Sequence, residues 1–401
     1  MEQRKNILFV IGSLAVGGTE KHLLQISKEL KFYNITPTIY CLSGDGPLTS
    51  CFEKNQIKVI DGSKWTKFFL WLPPKIKGFV FQLCNILQLT AFLYKTKFDI
   101  VHSFLPQACI VAGFATWLNQ HPYFITSRRS LNHYQKNKIV APFFETWAMR
   151  RSLVILGNSK AVLADLVSEG FQKSQMGLIY NGIEVPTLER QNLREQENIE
   201  PETFIFILVA NLIPYKGHLD LFTALSIAKN QFSFPWVLLC VGSGDESYLN
   251  VLKNHAAELG ILKNIKFLGC RHDVDQLYKS ANIGFLVSEQ EGFSNSLLEG
   301  MACGVPMIVT DVGGNTEIVE QDKNGIIVPA KNPSMLADAI KRLVFDAKLC
   351  SEFSSRAKEK IMKFYSIKRC AQMYFNLYNN LPTLKEKEGV PLQSIIEGSQ
   401  C

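Results

Sequence analysis

Phe285–Val319 reads FLVSEQEGFSNSLLEGMACGVPMIVTDVGGNTEIV. An apolar run from Ile283 to Val287 breaks into a polar loop carrying Glu291, Ser294 or Asn295 is placed to cap a helix, and Glu299 falls one to two turns inside that helix. Gly300, Ala302 and Gly304 keep the helix slim enough to pack closely on a sheet, and a second buried strand follows at Met307 to Thr310. Capping explains Ser294, and packing explains the small residues. Neither explains two carboxylates at a strand–loop–helix corner, because an unpaired Glu is rarely buried. Parallel α/β sheets bind ligands at the carboxyl ends of their strands, so Glu291 and Glu299 are candidate ligand contacts.

Outward from this stretch, short runs rich in Val, Ile and Phe alternate with longer amphipathic segments, the signature of βαβ units. The first half is expected to hold strands at Asn6 to Ile11, Thr38 to Leu42, Ile57 to Ile60, Ile100 to Ser103, Tyr123 to Thr126, Val154 to Gly157 and Gly177 to Tyr180. The second half repeats the pattern at Phe204 to Ala210, Trp236 to Val241, Ile265 to Leu268, Ile283 to Val287, Met307 to Thr310 and Gly325 to Val328. Gly182 to Glu202 is polar, carries two prolines and reads as a linker; after Pro333 the pattern is helical to Leu381, and Pro382 to Cys401 reads as a loose polar tail. Two doubly wound domains side by side would leave a cleft between their carboxyl edges.

After the first strand comes Gly12-Ser-Leu-Ala-Val-Gly17-Gly18-Thr19-Glu20, a glycine turn entering a helix and a natural seat for an anion. It lacks the GxGxxG spacing of a dinucleotide fold and the Gly-Lys-Ser/Thr of a Walker loop, so a helix start needing glycines for close packing stands beside the phosphate reading.

Taken in order, these pieces resemble the GT-B glycosyltransferases, and within them the large retaining family (glycosyltransferase family 4-like, glycosyl transferases group 1) that includes bacterial mannosyl- and galactosyltransferases and sucrose-phosphate synthases. Glu291 and Glu299 match its E-x7-E motif; Ala302 to Pro306, Gly313 to Glu317 and Asn324-Gly325 match the pieces that trail it. GGTE (Gly17 to Glu20), DIVH (Asp99 to His102), GNSKAV (Gly157 to Val162), IYNGIEV (Ile179 to Val185), VANLIPYKGH (Val209 to His218), VGSGDE (Val241 to Glu246) and FLGCRHDV (Phe267 to Val274) follow the family's order. The resemblance implies two Rossmann-like doubly wound parallel-sheet domains facing a cleft. Residues 1–185 would be the acceptor-side domain, 186–364 the nucleotide-sugar domain, and 365–401 a helix returning to the first domain with a loose tail.

The resemblance also implies roles. Glu291 would hydrogen-bond the donor sugar and Glu299 the ribose hydroxyls, as charge-assisted acceptors. The amides of Ser294, Asn295, Ser296 and Leu297, with those of Gly17 and Gly18 across the cleft, would take the distal phosphate. Lys216 would neutralise the departing diphosphate, Gly242 would lie in the donor site, and Arg271 would meet the nucleobase mainly through backbone. The pattern needs no metal and no cofactor beyond the nucleotide-diphosphate sugar. Two departures matter: Asn211 stands where many members have Arg, and Phe104 stands where many have the second His of His-x-His, leaving His102 as a structural histidine. Arg128 and Arg129 fit either a phosphate-bearing ligand or ion pairing. Asp273-Val274-Asp275 is expected to cap a helix rather than bind metal, and His218 and His255 read as ordinary helix residues.

The 401 residues, 47% hydrophobic and 20% charged, exclude a disordered or low-complexity chain. Ten cysteines without a CxxC pair argue for a reducing compartment, and the six-residue apolar run near the amino terminus is too short for a signal peptide, so a cytoplasmic setting is expected. Ser63 to Phe98 holds six lysines, no Asp or Glu, and Trp65, Phe68, Phe69 and Trp71. This stretch accounts for most of the net charge of +7, which is therefore not read as nucleic-acid binding. Peripheral contact of residues 64–97 with the inner face of an anionic membrane is one reading, and a solvated basic face over a core helix is the other. Gly78 to Tyr94 is the most membrane-like stretch, but Gln82, Asn85 and Gln88 make it a buried or interfacial helix rather than a span. The expected activity is transfer of a sugar to a glycan or lipid-linked acceptor in cell-surface polysaccharide or lipopolysaccharide synthesis. A sugar-nucleotide 2-epimerase of the same fold, or a catalytically silent glycan or nucleotide-sugar binder, stands as the alternative.

Overall fold

Buried parallel strands carry apolar side chains on both faces, and the strands of this chain do so almost without interruption. In a computed structural model, residues 4–131, 140–185, 193–386 and 391–398 are described. The chain divides into two units, Met1–Gly182 with Ile367–Cys401, and Ile183–Ser366.

Unit 1 contains β1 (Lys5–Ile11), β2 (Ile35–Cys41), β3 (Lys58–Asp61), β4 (Ile100–Phe104), β5 (Phe124–Arg128), β6 (Val154–Gly157) and β7 (Met176–Leu178). They form one parallel sheet in the order β3-β2-β1-β4-β5-β6-β7, so the order reverses between β1 and β4. The helices Gly18–Leu30 and Ile367–Asn379 bury Leu23, Ile26, Tyr374 and Leu377 on one face. The helices Pro74–Lys95, Pro106–Leu118, Val140–Arg151 and Lys160–Ser168 bury Leu89, Ala112, Met149 and Leu166 on the other. β2 starts earlier than expected because Pro37 precedes the first β2–β3 pair, Thr38↔Lys58, where a residue without an N–H is tolerated.

Unit 2 contains β8 (Phe204–Val209), β9 (Trp236–Val241), β10 (Ile265–Gly269), β11 (Ile283–Leu286), β12 (Met307–Thr310) and β13 (Ile326–Val328). Its parallel order, β10-β9-β8-β11-β12-β13, reverses between β8 and β11. Both sheets are doubly wound, and in each the reversal marks the crevice where ligands bind in such folds.

Two expectations about connections are corrected. The polar tail is not loose where it is described: Leu392 and Ile396, four residues apart on the helix Leu392–Glu397, are buried against unit 1. Gln393 accepts from Leu178 N at 2.9 Å and donates to Leu178 O at 3.3 Å, so a side-chain amide covers the open edge of β7 as a further strand would. Gly177 permits this, since a Cβ there would lie 2.4 Å from Ile396 Cδ1. The linker also folds in part: Ile183 N donates to Tyr365 O at 2.8 Å, and Leu193 and Ile199 are buried. Residues 186–192 of the linker, and 387–390 and 399–401 of the tail, lie outside the described residues.

Candidate functional site

β8 and β11 are neighbours at the order reversal of unit 2, so the loops that follow them converge. After β8 the chain turns through Pro214–Lys216 to Gly217, whose φ is +74°. A Cβ at Gly217 would lie 2.0 Å from Val287 O, so only glycine lets this turn press against the end of β11. That approach delivers Lys216 Nζ to Glu291 Oε1 at 2.6 Å, with both side chains largely buried. Ser288 Oγ donates to the same oxygen at 2.7 Å, and Lys216 also lies 5.3 Å from the centre of the Tyr215 ring.

The Glu291 loop is held from the β12 side. Gly313 has φ +53°, and a Cβ there would lie 1.7 Å from Glu291 O; Gly314 N donates to Gly292 O at 3.1 Å. Of the two expected caps, Ser294 performs the role, its Oγ accepting from Leu297 N at 3.3 Å. The Leu297 amide is thereby engaged, and the helix Asn295–Ala302 presents Asn295 and Ser296 in its first turn. Glu299 stands in the second turn, partly buried near Tyr278, whose hydroxyl donates to Ser296 O at 2.8 Å. The slimness of this helix is used: a Cβ at Gly300 would lie 2.8 Å from Met307 Sδ and 2.9 Å from the Tyr278 ring. On the other side of β8, Gly242 packs on backbone, 2.2 Å separating a would-be Cβ from Ala210 O, beside exposed Asn211. Asn211, Lys216, Gly242, Glu291, Ser294, Asn295, Ser296, Leu297 and Glu299 thus lie along one carboxyl edge of unit 2.

Arg271 differs in its side chain. Its guanidinium binds Glu197 at 2.6 Å and both carboxylate oxygens of Asp273 at 2.8 and 2.7 Å. The Asp273 hydrogen bonds raise the Arg271 pKa, and in return hold the Asp273 carboxyl below its usual range. Asp273 therefore makes no capping bond to the helix Val274–Ser280, a correction whose cause is the fork of Arg271 two residues earlier. His218 is also more than an ordinary helix residue: it is wholly buried beside Lys216, and burial, with that cation, pushes its pKa down to about 4. Ser288 was not anticipated at all. A hydroxyl three residues before the glutamate it serves carries no signal in the pattern of charges.

In unit 1 the Gly17–Gly18 turn opens the helix Gly18–Leu30 as expected, but Glu20 folds back over it: a Cβ at Gly17 would lie 2.3 Å from Glu20 Oε2. Burial raises the Glu20 carboxyl above its ordinary range. The two arginines part company. Arg128 is an ion-pairing residue, 2.7 Å from Glu169 and 3.5 Å from Asp165. Arg129 is buried with neutral partners, donating to His22 Nδ1 at 3.0 Å, Asn181 Oδ1 at 2.8 Å and the Tyr374 hydroxyl at 3.1 Å, over the Phe104 ring at 4.9 Å. Phe104 thus serves as the platform for a cation.

His102 is structural. Its ring nitrogens lie 2.8 Å from the Tyr378 and Ser127 hydroxyls, it is fully buried, and burial holds its pKa well below the ordinary value. A histidine kept neutral in the fold adds stability above its unfolded pKa of about 6.5, and that stability is lost as pH falls below it, because only the unfolded chain takes up the proton. The slope is roughly 1 kcal/mol per pH unit per group. Denaturant midpoints between pH 7.5 and 5 should therefore fall with pH for unit 1, and His102→Gln should flatten the fall. An unchanged slope in that variant would place the acid sensitivity elsewhere.

Among the described residues no cluster of three His, Cys, Asp or Glu side chains is placed to hold a metal ion. An ammonium and carboxylate pair thus stands at a strand-order reversal, near a helix amino terminus and with a second glutamate in that helix. Residues 189–360 match the family described as Glycosyl transferases group 1, residues 16–185 match Glycosyltransferase Family 4, and the chain belongs to this family of glycosyltransferases. It is 25% identical over 314 residues to the UDP-Gal:alpha-D-GlcNAc-diphosphoundecaprenol alpha-1,3-galactosyltransferase of Escherichia coli, covering 73% of this chain and 78% of that protein. It is 27% identical over 228 residues, 56% of each protein, to the N,N'-diacetylbacillosaminyl-diphospho-undecaprenol alpha-1,3-N-acetylgalactosaminyltransferase of Campylobacter jejuni. The structure of HepE from Anabaena in complex with UDP-glucose shares the fold, with a TM-score of 0.80 and 20% identity over 96% of this chain and all of that one.

Proposed function

We propose that this glycosyltransferase is a retaining enzyme that moves a sugar from a nucleotide-diphosphate sugar to a glycan or lipid-linked acceptor, in the synthesis of a cell-surface polysaccharide or lipopolysaccharide. The observation that carries this reading is the Lys216–Glu291 pair at the β8/β11 reversal. The two side chains neutralise each other at 2.6 Å. With donor, the diphosphate takes the ammonium, and Glu291 turns to the sugar hydroxyls.

Asn211 hydrogen-bonds a phosphate oxygen, the amides of Asn295 and Ser296 begin a helix whose positive end favours the same charge, and Gly242 lets the loop after β9 pack closely on the backbone at Asn211. The backbone at Arg271 meets the base. In unit 1 the amides of Gly17 and Gly18 offer a second anion seat, and Arg129 a buried cation for a phosphate-bearing acceptor. The acceptor hydroxyl attacks from the face the diphosphate leaves, and a phosphate oxygen receives its proton, so catalysis rests on positioning and on stabilising the departing charge. Lys216 and the helix end supply that charge, and no metal or further cofactor is invoked. The acceptor named for the Escherichia coli relative, a lipid diphosphate, supports a lipid-linked acceptor here. Peripheral contact of residues 64–97 with the cytoplasmic face of a membrane fits such an acceptor.

Glu299→Ala tests the ribose assignment. Losing a charged hydrogen bond worth about 1.5 to 3 kcal/mol should raise the donor KM about 10- to 100-fold with a smaller change in kcat. An unchanged donor KM would remove Glu299 from the donor site. Conversion of the donor with no acceptor present would instead identify an epimerase.

A further inference from the structure

The helix Pro74–Lys95 packs Leu89 and Leu93 into the core, yet its outer side is not polar. Ile76, Phe79, Leu83, Leu87 and Tyr94 recur at helical spacing along that side, and Phe79 and Tyr94 are 71% and 68% exposed. A helix on the outside of an α/β unit ordinarily turns charge to solvent. Its neighbours continue the pattern: Trp117 and Leu118 close the helix Pro106–Leu118, and Phe143 and Phe144 open Val140–Arg151, all with exposed surface. These side chains are joined. Tyr94 donates to Leu118 O at 2.9 Å, Phe114 stacks on Trp147 at 4.3 Å, and Trp117 meets Trp147 edge-on at 5.8 Å.

Arg151 lies over both tryptophans, 5.8 and 5.3 Å from their ring centres. With Trp117, Gln120, His121 and Lys385 it lines a cavity of about 390 Å³. The charged side chains of that lining are Arg151 and Lys385, both cations, and Trp117 belongs both to the cavity wall and to the exposed apolar face.

We propose that the outer face of the helices 74–95, 106–118 and 140–151 is a docking surface for an anionic bilayer, and that the Arg151–Lys385 cavity at its rim takes a lipid headgroup phosphate. The proposal rests on the membrane contact suggested above for residues 64–97 and extends it to two further helices and a headgroup site. Charge selects the occupant. Ser63 to Phe98 carries six lysines and no carboxylate, which suits a continuous negative surface. Tryptophan, tyrosine and arginine around an apolar stripe suit the boundary between headgroups and acyl chains. A guanidinium fork with an ammonium beside it suits a phosphate. The stretch Ile76–Lys95 is long and apolar enough to cross a membrane, but its inner side is part of the unit 1 core, so it lies along the bilayer rather than through it. The cavity is at the Phe124 end of β5, roughly 13 Å from the strand's carboxyl end at about 3.3 Å per residue, so a phosphate held there is an anchor and does not belong to an acceptor presented at that edge.

The test is co-sedimentation of the full chain with vesicles of phosphatidylcholine containing about 30% phosphatidylglycerol, in low salt. The wild-type chain should bind these and not vesicles of phosphatidylcholine alone. At about a fivefold loss for each cation removed from the surface, Arg151→Ala with Lys385→Ala should weaken binding about 30-fold, and Phe143→Ser with Trp117→Ser should do so comparably. Each variant should keep the wild-type thermal shift with UDP, which shows that it is folded. If the wild-type chain binds neither vesicle, the membrane contact of residues 64–97 fails as well. If it binds and both double variants bind equally well, the extension alone fails. Release from the vesicles by about 10 mM inorganic phosphate at constant ionic strength would give the cavity to a soluble anion and overturn the lipid assignment.

Discussion

Lys216→Ala should lower kcat about 10²- to 10³-fold while the chain stays folded. Among the described residues Lys216 is the cationic side chain that forms an ion pair with Glu291, and Asn211 on the same carboxyl edge carries no charge, so the departing diphosphate leans chiefly on this ammonium. Removing one preorganised donor from developing negative charge typically costs about 3 to 4 kcal/mol, which sets the expected range. Among the described residues, the substitution also leaves Ser288, at 2.7 Å, as the side-chain donor to Glu291. Donor binding should therefore weaken too, but less than turnover, because the diphosphate gains charge as the glycosidic bond breaks. Lys216→Arg separates charge from shape: a guanidinium keeps the charge but is planar and longer, so it spreads that charge away from the point the ammonium occupies, and should recover part of the loss. A kcat within threefold of wild type for Lys216→Ala would show that the leaving group is stabilised elsewhere.

The strands of both sheets were legible because buried parallel strands are written as apolar runs; Val154–Gly157, Trp236–Val241 and Met307–Thr310 fall where their residues predict. Glu291 and Glu299 were legible for the opposite reason, as charges at the end of such a run. What escaped were relations between side chains that spacing does not encode. Asp273 looks like a helix cap until the fork of Arg271 claims both its oxygens. Arg128 and Arg129 are identical letters, yet one meets Glu169 and the other Asn181, because successive residues at a strand end point to opposite faces. The tail looked loose because its few apolar residues, Leu392 and Ile396 among them, are scattered through a polar stretch; the partner of that pair, the bare surface at Gly177, lies more than 200 residues away in sequence.

Gly313→Ala should lower donor kcat/KM by at least about 100-fold and lower the melting temperature of unit 2. Two effects combine at this position. A φ of +53° places an L side chain in the left-handed region, at about 1 to 2 kcal/mol. The added Cβ would also stand 1.7 Å from Glu291 O, a backbone atom that cannot swing away as a side chain would. Relief requires the two loops to part by more than about 1 Å, and a displacement of that size at a reacting centre is enough for a loss of 10². The hydrogen bond from Gly314 N to Gly292 O ties the same two loops together, so movement of one carries Glu291 off its 2.6 Å contact with Lys216. Gly170→Ala is the control: its φ is +85°, but nothing lies within 4 Å of the added Cβ, so it should show the backbone strain alone and keep full activity. Should Gly313→Ala match Gly170→Ala in both stability and turnover, the β12 loop would not be what positions Glu291, and the burden would shift to Ser288 and the Gly217 turn.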